Sequence, residues 1–301
     1  MTKSKRIKLL EEYIRYLEKA AINYGKIAHI HGVKLDEETL AKGNRLRQEL
    51  EWVYEHTTRA VSIITYNRID HIEEIIDGVL TTVPNGTDVF VCDDGSNDGT
   101  QEINFKGVHY YRGPNLGVGA NKTRALYLMK NHHYSAMIED DLVPTEKGWF
   151  ETYEAAASLM DVHHFCRVQD KQVLETRPAF AEYIKQAFNA TPIYASSPRG
   201  DFTFLTRKVI TTVGGMNPAF NGVGYAHVEW SARVRKAGLI SHPLGWIDIA
   251  EARDRFKQIG DTEGGRWDVD KALISKQIKR NRLIAKRLAK QDYIYCPLRI
   301  E

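Results

Sequence analysis

Three consecutive carboxylates that follow a short apolar run are the residues best suited to metal chemistry in this sequence. Residues 136–138 are apolar, and Glu139, Asp140 and Asp141 come directly after them. An apolar run that ends in polar residues is typical of a buried strand. Carboxylates this close repel one another unless a cation lies among them, and oxygen ligands suit Mg²⁺ or Mn²⁺ together with substrate phosphates. The triplet therefore predicts a metal–diphosphate site at a strand end, with a solvated acidic turn as the alternative.

The elements that must position these carboxylates alternate between strands and helices. Residues 60–64 and 88–92 have the β-branched, apolar character of strands, and helical faces lie between the strands. This alternation predicts an α/β domain over residues 59–255, with a mostly parallel central sheet and flanking helices. Open sheets of this kind bind ligands beyond the carboxyl ends of their strands. In the turn after the second strand, Asp98 is expected to cap the turn.

The two ends of the chain have a different character. Residues 1–58 predict a helical hairpin, because apolar residues from Ile7 to Tyr24 alternate spacings of three and four. The hairpin either packs on the main domain or pairs subunits in a homo-oligomer. Residues 256–301 contain a basic helix at about 269–290. Its charges form either a solvated face or a surface that meets anionic lipid or an anionic polymer.

The overall composition excludes several classes of protein. The chain has 301 residues, of which 43% are hydrophobic and 27% charged, as in ordinary globular proteins. Its net charge of +3 is too small to indicate a polyanion partner by itself. Cys92, Cys166 and Cys296 are too far apart to predict a disulfide framework or a zinc site. No run of about 18 apolar residues could span a bilayer, so we expect a cytoplasmic protein, with peripheral membrane contact left open.

Five motifs follow one another in a specific order within residues 59–255. They are Thr-Tyr-Asn-Arg at 65–68, Asp-Asp-Gly-Ser-Asn-Asp-Gly-Thr at 93–100, Glu-Asp-Asp at 139–141, Gly-Gly-Met-Asn-Pro-Ala-Phe at 214–220 and His-Val-Glu-Trp-Ser at 227–231. In this order they resemble the family 2 glycosyltransferases of the GT-A fold, which is Rossmann-like. The resemblance implies a metal-dependent, inverting enzyme that moves a sugar from a nucleotide sugar to an acceptor hydroxyl, for which a glycan is the first choice.

The resemblance also implies which residues bind the nucleotide. Thr65, Tyr66, Asn67 and Arg68 match the segment that holds the base and ribose, and Asp94 matches the carboxylate that accepts a hydrogen bond from the base. Uracil offers such an N–H donor, so a UDP-sugar is the first choice among donors, and other nucleotides stay open.

By the same resemblance, the acidic triplet matches the metal-binding Asp-x-Asp motif, with glutamate in place of the first aspartate. Asp141 is then the metal ligand for Mn²⁺ or Mg²⁺, and Asp140 reaches the ribose or the donor sugar. Glu139 either ligates or only supports the site. Lys122 and Arg124 match a segment beside the diphosphate, where either one could neutralise phosphate; a position on the helix surface is the alternative.

The remaining candidates concern the metal and the acceptor. His242 and Asp248 are candidates for a further metal ligand. Glu229 matches the catalytic base of inverting transfer, which takes the proton from the acceptor hydroxyl. His227 could orient the acceptor.

Three other functions compete with this interpretation. One is a non-catalytic nucleotide-sugar-binding subunit of a glycan-assembly complex, and another is a transferase that acts on nucleic acid. A nucleotidyltransferase would need a glycine-rich phosphate loop after the first strand, and residues 65–68 contain no glycine. The donor sugar, the acceptor and the oligomeric state stay open.

Overall fold

A computed structural model describes most of the chain beyond the first 56 residues. The described residues are 57–159, 164–168, 173–175, 191–195, 198–240, 246–259 and 271–299. The predicted N-terminal hairpin and its role in pairing subunits fall outside them, and the prediction stands as made. Thr58–Glu301 forms one compact unit.

Among the described residues, nine strands form one sheet in the order β3-β2-β1-β4-β9-β6-β10-β8-β7. Its strands are β1 (Arg59–Thr65), β2 (Thr87–Asp93), β3 (His109–Arg112), β4 (Tyr134–Glu139), β6 (His164–Val168), β7 (Val173–Glu175), β8 (Pro192–Ala195), β9 (Pro198–Thr206) and β10 (Trp246–Ile249). Strands β1 to β4 are all parallel, as predicted. Strand β9 runs antiparallel to both of its neighbours, β4 and β6, so the second half of the sheet is mixed. Two short strands, β5 (Leu142–Pro144) and β11 (Phe256–Gln258), pair separately.

Helices cover both faces of the sheet. They are α1 (Ile69–Thr82), α2 (Val118–Met129), α3 (Trp149–Leu159), α4 (Arg207–Val213), α5 (Ala226–Lys236), α6 (Ala250–Arg253) and α7 (Lys271–Leu288). Strand β1 shows why there are two cores. Val61 and Ile63 pack into the core under α1 and α3, whereas Ala60 and Ile64 pack into the core under α2, α4 and α5. Alternate residues of a strand point to opposite faces, so a strand that is apolar throughout is buried on both sides.

The C-terminal residues join the main unit instead of forming a separate region after residue 255. Strand β11 pairs with β5. Farther on, the N–H of Cys296 donates to Val213 O at 3.0 Å, and Gly215 N donates to Cys296 O at 2.8 Å. The last described segment therefore fastens the start of the Gly-Gly-Met-Asn-Pro motif. Within the described ranges, none of the helices is both long and apolar enough to cross a membrane.

Candidate functional site

The carboxyl ends of β1, β2 and β4 lie side by side and bring three of the sequence motifs together. Strand β1 lies between the other two, with Thr65 in register with Asp93 and Ile64 in register with Glu139. The turns that follow the three strands therefore share one edge of the sheet. This edge is where a parallel sheet binds its ligands.

The turn after β2 is ordered by its own acidic residues. Buried Asp93 accepts hydrogen bonds from the backbone N–H of Ser96 at 2.9 Å and from the hydroxyl of Tyr110 at 2.5 Å. Asp98 accepts the N–H of Ile69 at 2.9 Å, which is the first residue of α1. The capping role predicted for Asp98 is confirmed, and it ties the turn after β2 to the start of α1.

Asp94 organises the loop that faces this turn. Its carboxylate is buried and accepts the backbone N–H groups of Leu116 at 3.1 Å and Gly117 at 2.8 Å. Burial raises the pKa of Asp94, while these two hydrogen bonds and the nearby Arg124 act in the opposite direction. A carboxylate has about four acceptor positions, so two bonds leave room for one more donor. The predicted contact of Asp94 with a base N–H stays a prediction.

Asp140 joins the turn after β4 to the turn after β1. Its Oδ2 accepts the backbone N–H of Tyr66 at 3.0 Å, and its Oδ1 lies 3.6 Å from Nε of Arg68. Asn67 adopts a φ of 51°, in the left-handed region that non-glycine residues rarely occupy. The carbonyl of Thr65 accepts the N–H of Asp94 at 3.0 Å. The residues predicted to hold the nucleotide thus form one hydrogen-bonded edge, and their roles stay predictions.

Lys122 and Arg124 are both buried, so the alternative of a helix-surface role is wrong for both. The ammonium of Lys122 forms an ion pair with Glu139 and donates to the carbonyl of Gly200 at 2.6 Å. Arg124 lies under the loop before α2 and donates to the carbonyl of Asp93 at 3.3 Å. Because Lys122 already neutralises Glu139, the geometry favours a supporting role for Glu139 over metal ligation.

Asp141 is the half-buried carboxylate that follows this network. Among the described residues, no three His, Cys, Asp or Glu side chains form a ready-made metal cluster. Fully buried Asp248 accepts the hydroxyl of Tyr153 and the N–H of Ile249, so its prediction as a further metal ligand is not supported. His242 falls outside the described residues. A single carboxylate beside a diphosphate site fits Mg²⁺ or Mn²⁺, which keep several positions for phosphate and water.

Glu229, the predicted catalytic base, has partners within the protein. It is buried in the first turn of α5, and Arg233 binds both of its carboxylate oxygens, at 2.8 and 3.2 Å. The hydroxyl of Tyr293 donates to the same carboxylate. Burial and this hydrogen bond raise the pKa of Tyr293 to about 12. Glu229 is therefore held in an internal ion pair, and its role as the catalytic base stays a prediction.

His227 precedes Glu229 by two residues and points to a different side of α5, because two residues span about 200° of a helix. Its imidazole ring lies against Gly200, where an added Cβ would come within 2.9 Å of Nδ1. Burial lowers the pKa of His227 to about 4, and the charge of Lys122 adds to this effect while Glu139 opposes it. In the described part of the chain, neither ring nitrogen has a hydrogen-bond partner. His227 is thus a neutral base beside the acidic strand end.

The loop before α5 is held in an unusual conformation. Tyr225, the residue before the helix, has a φ of 68°; it and Asn67 are the only non-glycine residues with positive φ among those the structure describes. An added Cβ on Gly117 would lie 2.9 Å from the nitrogen of Gly222, so this loop rests directly on the loop that Asp94 holds. Strained backbone of this kind concentrates at functional sites.

The comparisons with known proteins agree with this arrangement of motifs. Residues 60–196 match the model of glycosyl transferase family 2. Residues 60–196 are a family 2 glycosyltransferase domain. The match confirms the resemblance, and with it the predicted enzyme class of glycosyltransferase. No curated protein matches this sequence.

Solved structures confirm the GT-A fold. Glucosyl-3-phosphoglycerate synthase from Mycobacterium tuberculosis, in complex with Mn²⁺, UDP and glucosyl-3-phosphoglycerate, aligns with a TM-score of 0.51 and 15% identity over 80% of this chain and 82% of that chain. GalNAc-T7 with UDP, GalNAc and Mn²⁺ aligns with a TM-score of 0.56 and 11% identity, over 77% of this chain and 48% of that chain. A complex of the same synthase with Mg²⁺ and UDP has a TM-score of 0.50 at 17% identity over 79% of this chain and 82% of that chain.

Proposed function

We propose that this glycosyltransferase is metal-dependent and inverting, and that it transfers a sugar from a UDP-sugar to an acceptor hydroxyl. The observation that carries this proposal is the meeting of three strand-end motifs at one edge of the sheet. The structural neighbours named above were solved with UDP and with Mn²⁺ or Mg²⁺. Their identity to this chain is low, so the donor is proposed from the site and not from them.

The nucleotide would lie along the edge formed by the turns after β1 and β2. Residues 65–68 would surround the base and ribose, and Asp94 would accept the N–H of uracil while it holds Leu116 and Gly117 in place. Asp140 would reach the ribose or donor sugar, since it already links the turns after β1 and β4. The carboxylates of Asp94 and Asp140 are already oriented by hydrogen bonds within the protein, which lowers the entropic cost of binding.

Asp141 would hold the metal at the diphosphate, and Mn²⁺ or Mg²⁺ would neutralise the charge that develops on the leaving group. The ion pair of Lys122 with Glu139 adds a buried cation beside this position. That cation would attract the diphosphate, although its present partners are Glu139 and the carbonyl of Gly200.

His227 would take the proton of the acceptor hydroxyl. In an inverting transfer, the acceptor oxygen attacks the anomeric carbon, the bond from that carbon to the diphosphate oxygen breaks, and the hydroxyl proton passes to a base. A neutral imidazole can accept this proton, and His227 lies next to Lys122 and Gly200 at the acidic strand end. The enclosed carboxylate of Glu229 would instead hold the first turn of α5 in position.

The decisive experiment measures release of UDP from a panel of UDP-sugars with Mn²⁺, with Mg²⁺ and with a chelator. We expect slow, metal-dependent hydrolysis of one donor by the wild type. Asp141→Ala should abolish it, whereas Asp70→Ala, an exposed aspartate at the start of α1, should leave it unchanged. Failure of every UDP-sugar to bind or to be hydrolysed would overturn the proposal.

A further inference from the structure

The outer face of α7 is basic along its whole length. Six cationic side chains of this helix are exposed, and the sequence has no aspartate or glutamate from residue 271 to residue 290. The six are Lys276, Lys279, Arg280, Arg282, Lys286 and Arg287. In the part of the chain that the structure describes, none of them forms an ion pair. Exposed helices usually mix the two signs of charge, so this face is unusual.

The spacing of these cations makes them repel one another in the free protein. Lys276 and Arg280 are four residues apart, as are Arg282 and Lys286, and residues at this spacing are neighbours on a helix. Like charges at this spacing destabilise a helix. A polyanion that binds this face removes the repulsion between the cations and releases its own counterions. Both effects favour binding.

The apolar side of α7 is already used inside the protein, which argues against a membrane as the partner. Leu288 is buried, and Ile284 and Ala285 pack against the same core as α5. Three large apolar side chains of α7, Leu273, Ile278 and Leu283, are exposed, and their spacing of five residues turns each one about 140° from the next, so they form no continuous apolar face. An amphipathic helix that inserts into a bilayer needs a free apolar face, and α7 offers a basic one instead.

The helix is also fastened to the loop that leads into the proposed active site. Buried Asn281 donates to three carbonyls of this loop, those of Asn221, Val223 and Gly224, at 3.0 to 3.1 Å. Gln277 accepts the N–H of Val223 at 3.2 Å. The same loop rests on Gly117 and continues into the first turn of α5. A polymer bound along α7 therefore contacts a helix that is joined directly to the loop before α5.

We propose that α7 is a docking surface for nucleic acid, and that its exposed cations hold the phosphate backbone. The helix has 18 residues and is about 27 Å long, enough to follow several phosphates. Its arginines can bind phosphate oxygens in a bidentate manner, and its lysines add mobile positive charge. The docking of nucleic acid on α7 is independent of the proposed function. The further idea that the bound polymer presents the acceptor hydroxyl rests on the proposed function.

The test measures binding of a fluorescein-labelled DNA duplex, and of one of its single strands, to the full-length chain over a range of salt concentrations. No donor or metal is needed, so the result can be interpreted whether or not UDP-sugar hydrolysis is found. The combined variant Lys276→Gln, Lys279→Gln and Lys286→Gln should bind at least ~10-fold more weakly, with a salt slope smaller by about 2 to 3. The same three positions changed to arginine should retain binding.

The matched control is Lys106→Gln, Lys147→Gln and Lys208→Gln, which removes three exposed charges away from α7. This control should bind like the wild type. The proposal is overturned if neither form of DNA binds at low salt, if the control loses as much affinity as the α7 variant, or if the wild type binds phosphatidylserine vesicles but not DNA.

Discussion

The two sides of the proposed site, a donor side and an acceptor side, are built in different ways. On the donor side, the turns after β1, β2 and β4 are ordered by aspartates that bond to backbone groups of adjoining turns. On the acceptor side, the start of α5 is held by residues far along the chain, such as Tyr293 and Asn281. The donor side is thus ordered by turn chemistry, while the acceptor side depends on the C-terminal segment and α7. From this difference and the proposed function, we expect changes in the C-terminal segment to alter the acceptor side while the donor edge stays intact.

The sharpest test of this comparison removes the side chain of His227, the proposed base on the acceptor side. His227→Ala should lower kcat by about 10²- to 10⁴-fold with little change in the KM for the donor, because it removes the proposed base and not a donor contact. Steady-state kinetics with the donor found in the UDP-release experiment would measure this. His109→Ala, at an exposed position on β3, is the control. Full retention of kcat in His227→Ala would show that His227 is not the base and would leave Glu229 as the candidate.

Among the changes considered on the acceptor side, breaking the ion pair between Glu229 and Arg233 within α5 should reduce stability most. Arg233→Met leaves buried Glu229 without its counter-charge and should reduce the free energy of unfolding by about 3–5 kcal/mol. Urea unfolding measures this loss. The double variant Arg233→Met with Glu229→Leu should recover a large part of it. A single variant as stable as the wild type would show that this network does not hold the acceptor side together.

Asn281 tests how strongly α7 controls the loop before α5. Asn281→Ala removes donors to three carbonyls and should lower the free energy of unfolding by about 1–3 kcal/mol. Hydrogen exchange should become faster in residues 221–225 and stay unchanged in residues 93–100 on the donor side. Equal acceleration in both segments would mean that the two sides are not independent.

The pH dependence of stability should carry a small signature of His227. Its pKa is about 4 in the folded protein, below the ordinary value of 6.5. The unfolded chain therefore binds a proton that the folded chain does not, and stability falls as pH drops from about 6.5 towards 4. His227→Gln should lose less stability than the wild type over this window. Parallel stability curves for the two proteins would contradict a buried neutral imidazole.

The donor side could be predicted from the sequence because its signals are local. Strand-end turns such as residues 93–100 can be recognised from their glycine and aspartate residues. The order of strands and helices implies that these turns meet at one edge of the sheet. The capping role of Asp98 followed from the same turn chemistry. The burial of Lys122 could not be predicted in this way, because its partners are Glu139 and the carbonyl of Gly200, which is 78 residues away.

By itself, the sequence determined the α/β class, the parallel first half of the sheet and the edge where the motifs meet. These follow from hydrophobic periodicity and turn residues, which act over a few positions. Only the tertiary structure decided which way the side chains at the start of α5 point. Glu229 meets Arg233 and Tyr293, the latter 64 residues away, and His227 meets Gly200. The i,i+4 spacing of Glu229 and Arg233 is visible in the sequence, but the burial of the pair depends on Tyr293 and on the carbonyls of Val213 and Gly215, which only folding brings to α5.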